Sequence, residues 1–479
     1  MIPAVTVDIG TTSIKLGLYD AAGAPLDTAT HPTPTLRDAY GEIYDVDAIR
    51  AQFAEFVRDL DPVHREAIGR IAITGVGEAG GLVRRDLTLA SPMILWHDHR
   101  GAGYLDRLGP DERARIYAVT GLPVNANYGL SKTAWALDDS VDTDGALWLN
   151  LADYLAALLT GERWAERSLA SRTLALDVTT GSWSAEVAGM LGVDVSVFPP
   201  LQPAGGRPLL PEAARELGLG ADVWVVVAGH DHMVGAVGAG LRRGELLNST
   251  GTTEGLLVLR DAPVLDDRAR DAKLANGLAC DGDGFTLFAS IPTGGSAFAT
   301  LQSMLGATAA ELTGRLATLH ERWLTGELDP AGVPLVLPRF RGSPPPDKNG
   351  DARAVIAGLR SDTTADDLVA GTFFGLVLQF RDVLDLFPER PERITVIGPA
   401  ARNPLWLQLK ADLLGMPLTV AQAGEVVSRG AQALASGLAP DGNAAEPREV
   451  HPDPARHARM TAWADQIAPL WAQLKAVSG

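Results

Sequence analysis

The most informative residues belong to a repeated tripeptide. Gly-Thr-Thr occurs at residues 10–12 and again at residues 251–253, and each copy separates two short apolar stretches. A glycine at a hairpin tip lets phosphate approach the backbone, and threonine hydroxyls add hydrogen-bond donors. One such tip is most often an ordinary turn. Two copies roughly half a chain apart instead favour a clamp that holds nucleotide phosphates from two sides.

Charged residues accompany the first tripeptide and a later strand end. Lys15 adds a donor for phosphate, and Asp8 supplies a hard carboxylate oxygen that suits Mg²⁺, directly or through water. Asp231 follows the continuous apolar stretch 223–228, a pattern typical of strands that are covered on both faces in α/β proteins. Ligands bind at the carboxyl ends of such strands, although an aspartate there is also a common helix cap.

Strands and helices must alternate to position these groups. The sequence predicts a strand running into a glycine-containing loop over residues 68–77, a helix over 148–159, a helix over 363–386 and a strand over 393–398. Gly161 would end the first helix, Thr363 or Thr364 would cap the second, and Pro404 would open a further helix. The turn before Pro404 is either an adenine-nucleotide platform or a plain β–α connection.

Length, charge and cysteine content limit the class of protein. A chain of 479 residues is longer than a single hydrophobic core supports, and we predict two lobes, over residues 1–241 and 242–479. The net charge of −18 argues against nucleic acid and membrane surfaces as partners. The single Cys280 rules out an intramolecular disulfide, and the first residues do not resemble a signal peptide, so a cytoplasmic location is expected.

Taken in order, several stretches resemble the FGGY family of carbohydrate kinases. The resemblance covers nearly the whole chain, and its matching stretches are residues 8–15, 94–100, 153–162, 170–183, 229–231, 249–253 and 408–415. It implies an α/β, two-lobed actin-like (ribonuclease H-like) ATPase fold with the active site in the cleft between the lobes. The first lobe would bind the acceptor, and the second would bind the adenine nucleotide.

The resemblance also implies a reaction and its residues. The γ-phosphate of ATP would pass to a hydroxyl of a small sugar or polyol, with Asp231 as the general base and Asp8 placing Mg²⁺. Residues contacting the phosphates from the first hairpin would be Thr11, Thr12, Ser13 and Lys15. On the second lobe Thr252 would face the phosphates, and Gly295, Gly398 and Asn403 would border the nucleoside. Members of the family are commonly dimers, so a homodimer is a candidate assembly on which the sequence itself is silent.

Further residues bear on the acceptor. Glu78 would accept hydrogen bonds from substrate hydroxyls, or else be a solvated loop residue. Trp96 would cover one face of the substrate, or belong to the core, and Asp98 would either contact substrate or form a structural ion pair with Arg100. His232 follows the catalytic aspartate, where many family members carry asparagine or glutamine.

The identity of the acceptor stays open. Residues 77–78 match neither the xylulokinase nor the glycerol kinase pattern, and we expect a ketopentose such as xylulose or another small polyol. Glycerol, a tetritol or a sugar acid such as gluconate are alternatives, and Arg84 and Arg85 would serve a carboxylate. Pro399 replaces the second glycine of the adenine-site pair, which leaves nucleotide preference open.

Two other classes compete with the kinase. The triplets His97-Asp98-His99 and His230-Asp231-His232 have outer histidines that would bind zinc in a metal-dependent hydrolase. A regulator that binds nucleotide without phosphate transfer would keep the fold but not need Asp231.

Overall fold

The computed structural model describes residues 1–202, 206–421, 426–437 and 447–479. Its first large sheet has six strands in the order β5-β6-β4-β1-β2-β3. Their bounds are β1 Ala4–Ile9, β2 Ser13–Tyr19, β3 Pro25–Pro32, β4 Arg70–Gly75, β5 Arg207–Pro208 and β6 Trp224–His230. Strands β1 and β2 form the predicted first hairpin, and β4 lies parallel to both β1 and β6.

The second large sheet repeats this arrangement. Its order is β9-β10-β8-β7-β11-β12-β13, with β7 and β8 forming the second Gly-Thr-Thr hairpin and β11 parallel to β7. The bounds are β7 Glu245–Thr250, β8 Glu254–Arg260, β9 Ala275–Leu278, β10 Phe285–Ile291, β11 Arg393–Ile397, β12 Leu418–Val420 and β13 Arg448–Val450. The first sheet has three antiparallel strands, β3, β2 and β1, and the second has four, β9, β10, β8 and β7; parallel strands follow in both before an antiparallel edge strand. This is the predicted two-lobed actin-like fold.

The helices follow the apolar periodicity with one correction. The first part of the chain has helices Val46–Asp59, Pro62–Glu66, Ala102–Leu105, Pro110–Thr120, Gly129–Asp139, Leu151–Thr160, Arg167–Ala170, Ala185–Met190, Pro211–Leu217 and Asp231–Gly238. The helix predicted over 148–159 is wrong at its start, because Leu147–Asn150 pairs as a strand with Gly80–Val83. A short apolar run is compatible with a helix and with a buried strand, and the partner of this strand is distant in sequence.

The later helices agree with their sequence signals. Their bounds are Asp267–Asp271, Ser296–Leu305, Ala309–Thr325, Ala365–Leu384, Pro404–Leu414, Val426–Ala435 and Pro454–Val477. The Thr364 side chain caps its helix by accepting from the Asp367 amide, and the Thr364 amide donates to the Asp367 carboxylate. Pro404 opens its helix as predicted. None of the helices in the described ranges is long and apolar enough to cross a membrane.

One late helix covers a face of the first sheet. Val426–Ala435 packs on β1, β4 and β6 and crosses the helix Asp231–Gly238. The crossing is close because glycines lie at it: a Cβ on Gly238 would overlap the Val426 carbonyl, and one on Gly430 would overlap the Val234 carbonyl. The division at residues 241 and 242 stays a prediction, since the first sheet is completed by a helix from the second half of the sequence.

The opposite face of the first sheet carries the main core of that lobe. Valines and isoleucines of β1, β4 and β6 pack against the helices Val46–Asp59 and Leu151–Thr160. The strands are buried on both faces, which explains why the stretch 223–228 is apolar without alternation. The carboxyl ends of the three strands are fixed at one edge by this packing.

Candidate active site

The site begins where three parallel strands end together. In the sheet register Asp8 of β1 lies opposite Thr74 of β4, and Thr74 lies opposite Gly229 of β6. The Thr74 hydroxyl donates to the Gly229 carbonyl at 2.7 Å, which ties two of these ends. Glu78 lies on the loop after β4, and Asp231 directly follows β6, so both residues lie at this edge.

Asp231 is the first residue of the helix Asp231–Gly238. Its Oδ1 accepts from the His232 amide at 2.7 Å and lies 3.1 Å from Nδ1 of His230, while its side chain is 22% exposed. Burial works to raise the pKa of Asp231, but the His232 and His230 charges and the hydrogen bonds hold that pKa below its ordinary value. The carboxylate is therefore ionised at neutral pH and can accept a proton.

Glu78 forms a buried ion pair that the sequence did not predict. Its Oε1 lies 2.8 Å from Nε and 2.7 Å from a terminal nitrogen of Arg172, whose guanidinium lies over the rings of Tyr128 and Phe288. Burial acts to raise the pKa of Glu78, but Arg172 and His230 hold it well below its usual range. Glu78 is thus not a solvated loop residue, since it is buried, and its backbone has a φ of 62°.

His230 lies between the two carboxylates. Its Nδ1 is 3.1 Å from Asp231, and its Nε2 is 3.8 Å from Oε2 of Glu78. Burial alone would lower the pKa of His230, but the two carboxylates raise it to about 9. At neutral pH the site therefore contains an alternating row of charges, formed by Arg172, Glu78, His230 and Asp231.

We predict a pH dependence of stability from His230. Its folded pKa lies above the unfolded value near 6.5, so protonated His230 stabilises the fold fully below pH 6.5. This contribution declines as the pH rises and is lost above about 9. Urea unfolding of the wild type and His230→Asn between pH 6 and 10 measures it, and the gap between them should narrow towards pH 10. A gap of constant size would contradict the assignment.

The other acceptor residues predicted from the sequence have mixed surroundings. Trp96 is part-buried and donates from Nε1 to the Thr11 hydroxyl at 2.8 Å, which links it to the first hairpin. His232 packs its ring against Phe288 of the second lobe, with the centroids 5.2 Å apart. Asp98 instead pairs with Arg100 at 2.7 Å, so the structural alternative for Asp98 describes its contacts. Their roles toward substrate stay predictions.

The arginines proposed for a sugar acid lie elsewhere. Arg84 donates to the Leu89 and Asp142 carbonyls, and Arg85 lies beside Gly145. Neither makes a described contact with Glu78 or Asp231.

Lys132 holds together the loops that carry Glu78, Trp96 and Asn127, and the sequence did not point to it. Its side chain is fully buried, and its ammonium donates to the carbonyls of Glu78 at 2.9 Å, Trp96 at 2.7 Å and Asn127 at 2.7 Å. Burial lowers the pKa of Lys132 to about 7. Three carbonyls from separate loops therefore depend on one cation.

Replacing this cation should loosen these loops. We expect Lys132→Met, which keeps the length of the stem, to lower the free energy of unfolding by about 3 kcal/mol, because three buried carbonyls lose their donor. The KM for the acceptor should rise while ATP affinity is retained. Denaturant unfolding and steady-state kinetics measure both, with the partly exposed Lys273→Met as the matched control. Equal behaviour of the two variants would contradict the positioning role.

The first hairpin brings Asp8 and Lys15 directly opposite each other across β1 and β2. Asp8 is 7% exposed at the carboxyl edge of the sheet. No group of three or more histidine, cysteine, aspartate or glutamate side chains in the described residues could hold a metal ion. Mg²⁺ typically takes one or two carboxylates and completes its shell with water and phosphate oxygens, so a single Asp8 carboxylate fits it. The same observation removes the ligand set that the zinc alternative needs.

Residues predicted at the nucleotide are gathered on the second lobe. The Gly295 amide donates to the Gly251 carbonyl at 2.8 Å, and the Ser296 amide donates to the Thr252 carbonyl at 3.1 Å. Gly398 has a φ of 99°, and a Cβ there would lie 2.5 Å from the Thr250 carbonyl oxygen, so only glycine fits. Asn403 caps the helix Pro404–Leu414. The second hairpin tip, Gly295 and Gly398 thus form one continuous backbone surface.

Comparisons with known proteins agree with this geometry. The chain matches the FGGY family of carbohydrate kinases, N-terminal domain, over residues 4–238 and the C-terminal domain of the same family over residues 246–438. The protein belongs to the FGGY family of carbohydrate kinases, and it is a phosphotransferase with an alcohol group as acceptor. The hydrolase alternative is therefore wrong.

Individual relatives name different substrates. A glycerol kinase of Gloeobacter violaceus is 27% identical over 91% of this chain and 87% of its own length. An L-fuculokinase of Escherichia coli O157:H7 is 25% identical over 89% of this chain and 90% of its own length. The structure of a ligand-bound xylulose kinase from Lactobacillus acidophilus has a TM-score of 0.87 at 19% identity, covering 100% and 99% of the chains. The fold and the class of reaction are shared, while the named substrates differ.

Proposed function

We propose that this kinase transfers the γ-phosphate of ATP to a hydroxyl of a small neutral sugar or polyol, with a ketopentose such as xylulose as the first choice. The observation that carries the proposal is the row of charges beside Asp231. Two carboxylates and two cations at neutral pH leave no net charge among these four groups. Such a site suits a neutral polyol, whose hydroxyls both donate and accept hydrogen bonds.

In the proposed reaction Asp231 acts on the acceptor hydroxyl. The acceptor oxygen forms a bond to the γ-phosphorus, and the bond from that phosphorus to the β,γ-bridging oxygen of ATP breaks. The proton of the acceptor hydroxyl passes to Oδ2 of Asp231. His230 and the His232 amide fix Oδ1, so the carboxylate keeps one orientation.

The remaining groups hold the phosphates. Thr11, Thr12, Ser13 and Lys15 would bind them from the first hairpin and Thr252 from the second, with Gly295, Gly398 and Asn403 beside the nucleoside. Asp8 would hold Mg²⁺, which neutralises phosphate charge when bound. Glu78 would position acceptor hydroxyls from its ion pair with Arg172, beside Trp96 and His232.

A sugar acid is the second candidate, and Lys348 favours it. Lys348 is exposed to solvent, and its pKa is nevertheless lowered, by loss of solvation first and then by the Arg172 guanidinium, while Glu78 opposes both. This lysine of the second lobe therefore lies within electrostatic reach of the Glu78–Arg172 pair and offers a cation for a carboxylate.

The test is ATP consumption by the purified enzyme with Mg²⁺ against pentuloses, hexuloses, tetritols, pentitols, glycerol and sugar acids. We expect one neutral acceptor to stimulate ATP consumption strongly in the wild type and not at all in Asp231→Ala. A sugar acid as best substrate would favour the second candidate, and Lys348→Met should then raise its KM selectively. ATP binding without turnover on any acceptor would instead favour the non-catalytic regulator.

A further inference from the structure

A second pocket lies in the C-terminal half of the fold. Residues 344–347 form a proline-rich strap over it, and the cavity beneath has a volume of about 120 Å³. Its polar lining consists of Arg339, Asp347, Gln379, Asp382 and Lys475, with Trp471 beside them. A water molecule takes about 30 Å³ in the liquid, so this strap pocket has room for a ligand of several heavy atoms.

Two buried side chains in the strap pocket have polar atoms without protein partners. Gln379 is 2% exposed, and neither its Oε1 nor its Nε2 has a hydrogen-bond partner among the described residues. Arg339 is 3% exposed, and its Nε likewise has none there. Leaving such groups buried costs free energy, typically about 1–3 kcal/mol each. The presence of these Gln379 and Arg339 groups in a pocket wall indicates a hydrogen-bond partner from outside the protein chain.

The charge of Arg339 is weakly compensated. One of its terminal nitrogens donates to the Lys475 carbonyl at 3.1 Å, and the other lies 3.9 Å from Asp347, whose side chain is 65% exposed. The nearby Asp382 carboxylate is already used, because it accepts from Trp471 at 2.7 Å and from Lys475 at 2.9 Å. A buried guanidinium with an open N–H therefore faces the pocket.

We propose that the strap pocket binds a small oxyanion, a carboxylate or phosphate group of a metabolite. The anion would accept from Nε of Arg339 and Nε2 of Gln379, and Oε1 of Gln379 would accept from a hydroxyl on the same ligand. The binding is independent of the proposed function, because its residues differ from those assigned to ATP and acceptor.

Calorimetry without ATP or sugar tests the binding. Sodium phosphate, glycolate and acetate are titrated at matched ionic strength, with sodium chloride as the blank. We expect saturable binding of one anion per chain, weakened about tenfold or more in Gln379→Leu. That variant should unfold at the same or a higher temperature, since it removes a buried unpartnered amide, so lost binding would not reflect misfolding. Phosphate against the two carboxylates separates the sources of the oxyanion.

The matched control is Gln302→Leu, at a partly exposed position on the helix Ser296–Leu305. Absence of saturable binding in the wild type, or equal affinities of Gln379→Leu and Gln302→Leu, would overturn the proposal. An enzyme that phosphorylates no acceptor would still give the calorimetric result, so the two proposals fail separately.

Discussion

Asp231→Asn should lower kcat by about a thousandfold while leaving ATP binding intact. The substitution keeps the shape of the side chain and the oxygen that accepts from the His232 amide, but it removes the proposed base for the acceptor proton. General-base catalysis is typically worth about 10²–10⁴-fold, and Asp231 is ionised over the working pH range because its pKa is depressed. Steady-state kinetics on the best acceptor and equilibrium nucleotide binding measure the two parts.

A second readout links this loss to the site geometry. Because the Asp231 carboxylate raises the pKa of His230, the pKa of that imidazole should fall in Asp231→Asn, as followed by NMR titration. Asp222→Asn, in the exposed turn before β6, is the matched control and should change neither quantity. A variant at residue 231 that keeps more than about a tenth of wild-type kcat would mean that another group accepts the proton.

Arg172→Met should destabilise the enzyme by about 3–5 kcal/mol. It removes the only strong partner described for the Glu78 Oε1 atom and leaves a buried carboxylate without its compensating charge. Arg172→Lys should rescue this only in part, since a lysine cannot reproduce the two parallel bonds or the contacts with the Tyr128 and Phe288 rings. Urea unfolding gives the free energies.

A double-mutant cycle separates stability from function at this pair. Glu78→Gln combined with Arg172→Met should lose less stability than the two single changes added together, because neither charge is then stranded. The double variant should nevertheless keep a raised KM for the acceptor. Arg115→Met is the control, since its bridge to Glu186 is about half exposed and should be worth about 0–1 kcal/mol. Equal losses at Arg172 and Arg115 would show that the buried pair is no special feature.

The fold could be predicted from the sequence because the signals for it are local. The two Gly-Thr-Thr hairpins, the strand before Asp231 and the cap at Thr364 each rest on residues that lie close together in the chain. Asp231 and Glu78 meet at one edge because parallel strands share a carboxyl end, which the α/β pattern already implies.

Tertiary partners were beyond such reasoning. Arg172 lies inside a stretch that resembled the family, yet its pairing with Glu78 joins residues 94 positions apart. Lys132 looks like an ordinary helix lysine until the fold surrounds it with three carbonyls. The strand at Leu147–Asn150 needed knowledge of its partner for the same reason. A charged residue in an apolar helical stretch was the one available signal for Lys132.

The late helix Val426–Ala435 ties the folding of the enzyme to the order of its synthesis. The strands of the first sheet emerge from the ribosome early, but the face bearing Ala72 and Val226 receives its cover of Ala431 and Ala435 only when most of the chain has been made. The nascent chain must therefore shelter an apolar face through most of translation. A gene cut at residue 241 would encode a sheet that lacks one of its layers, and co-expression of the remainder is the natural way to restore it.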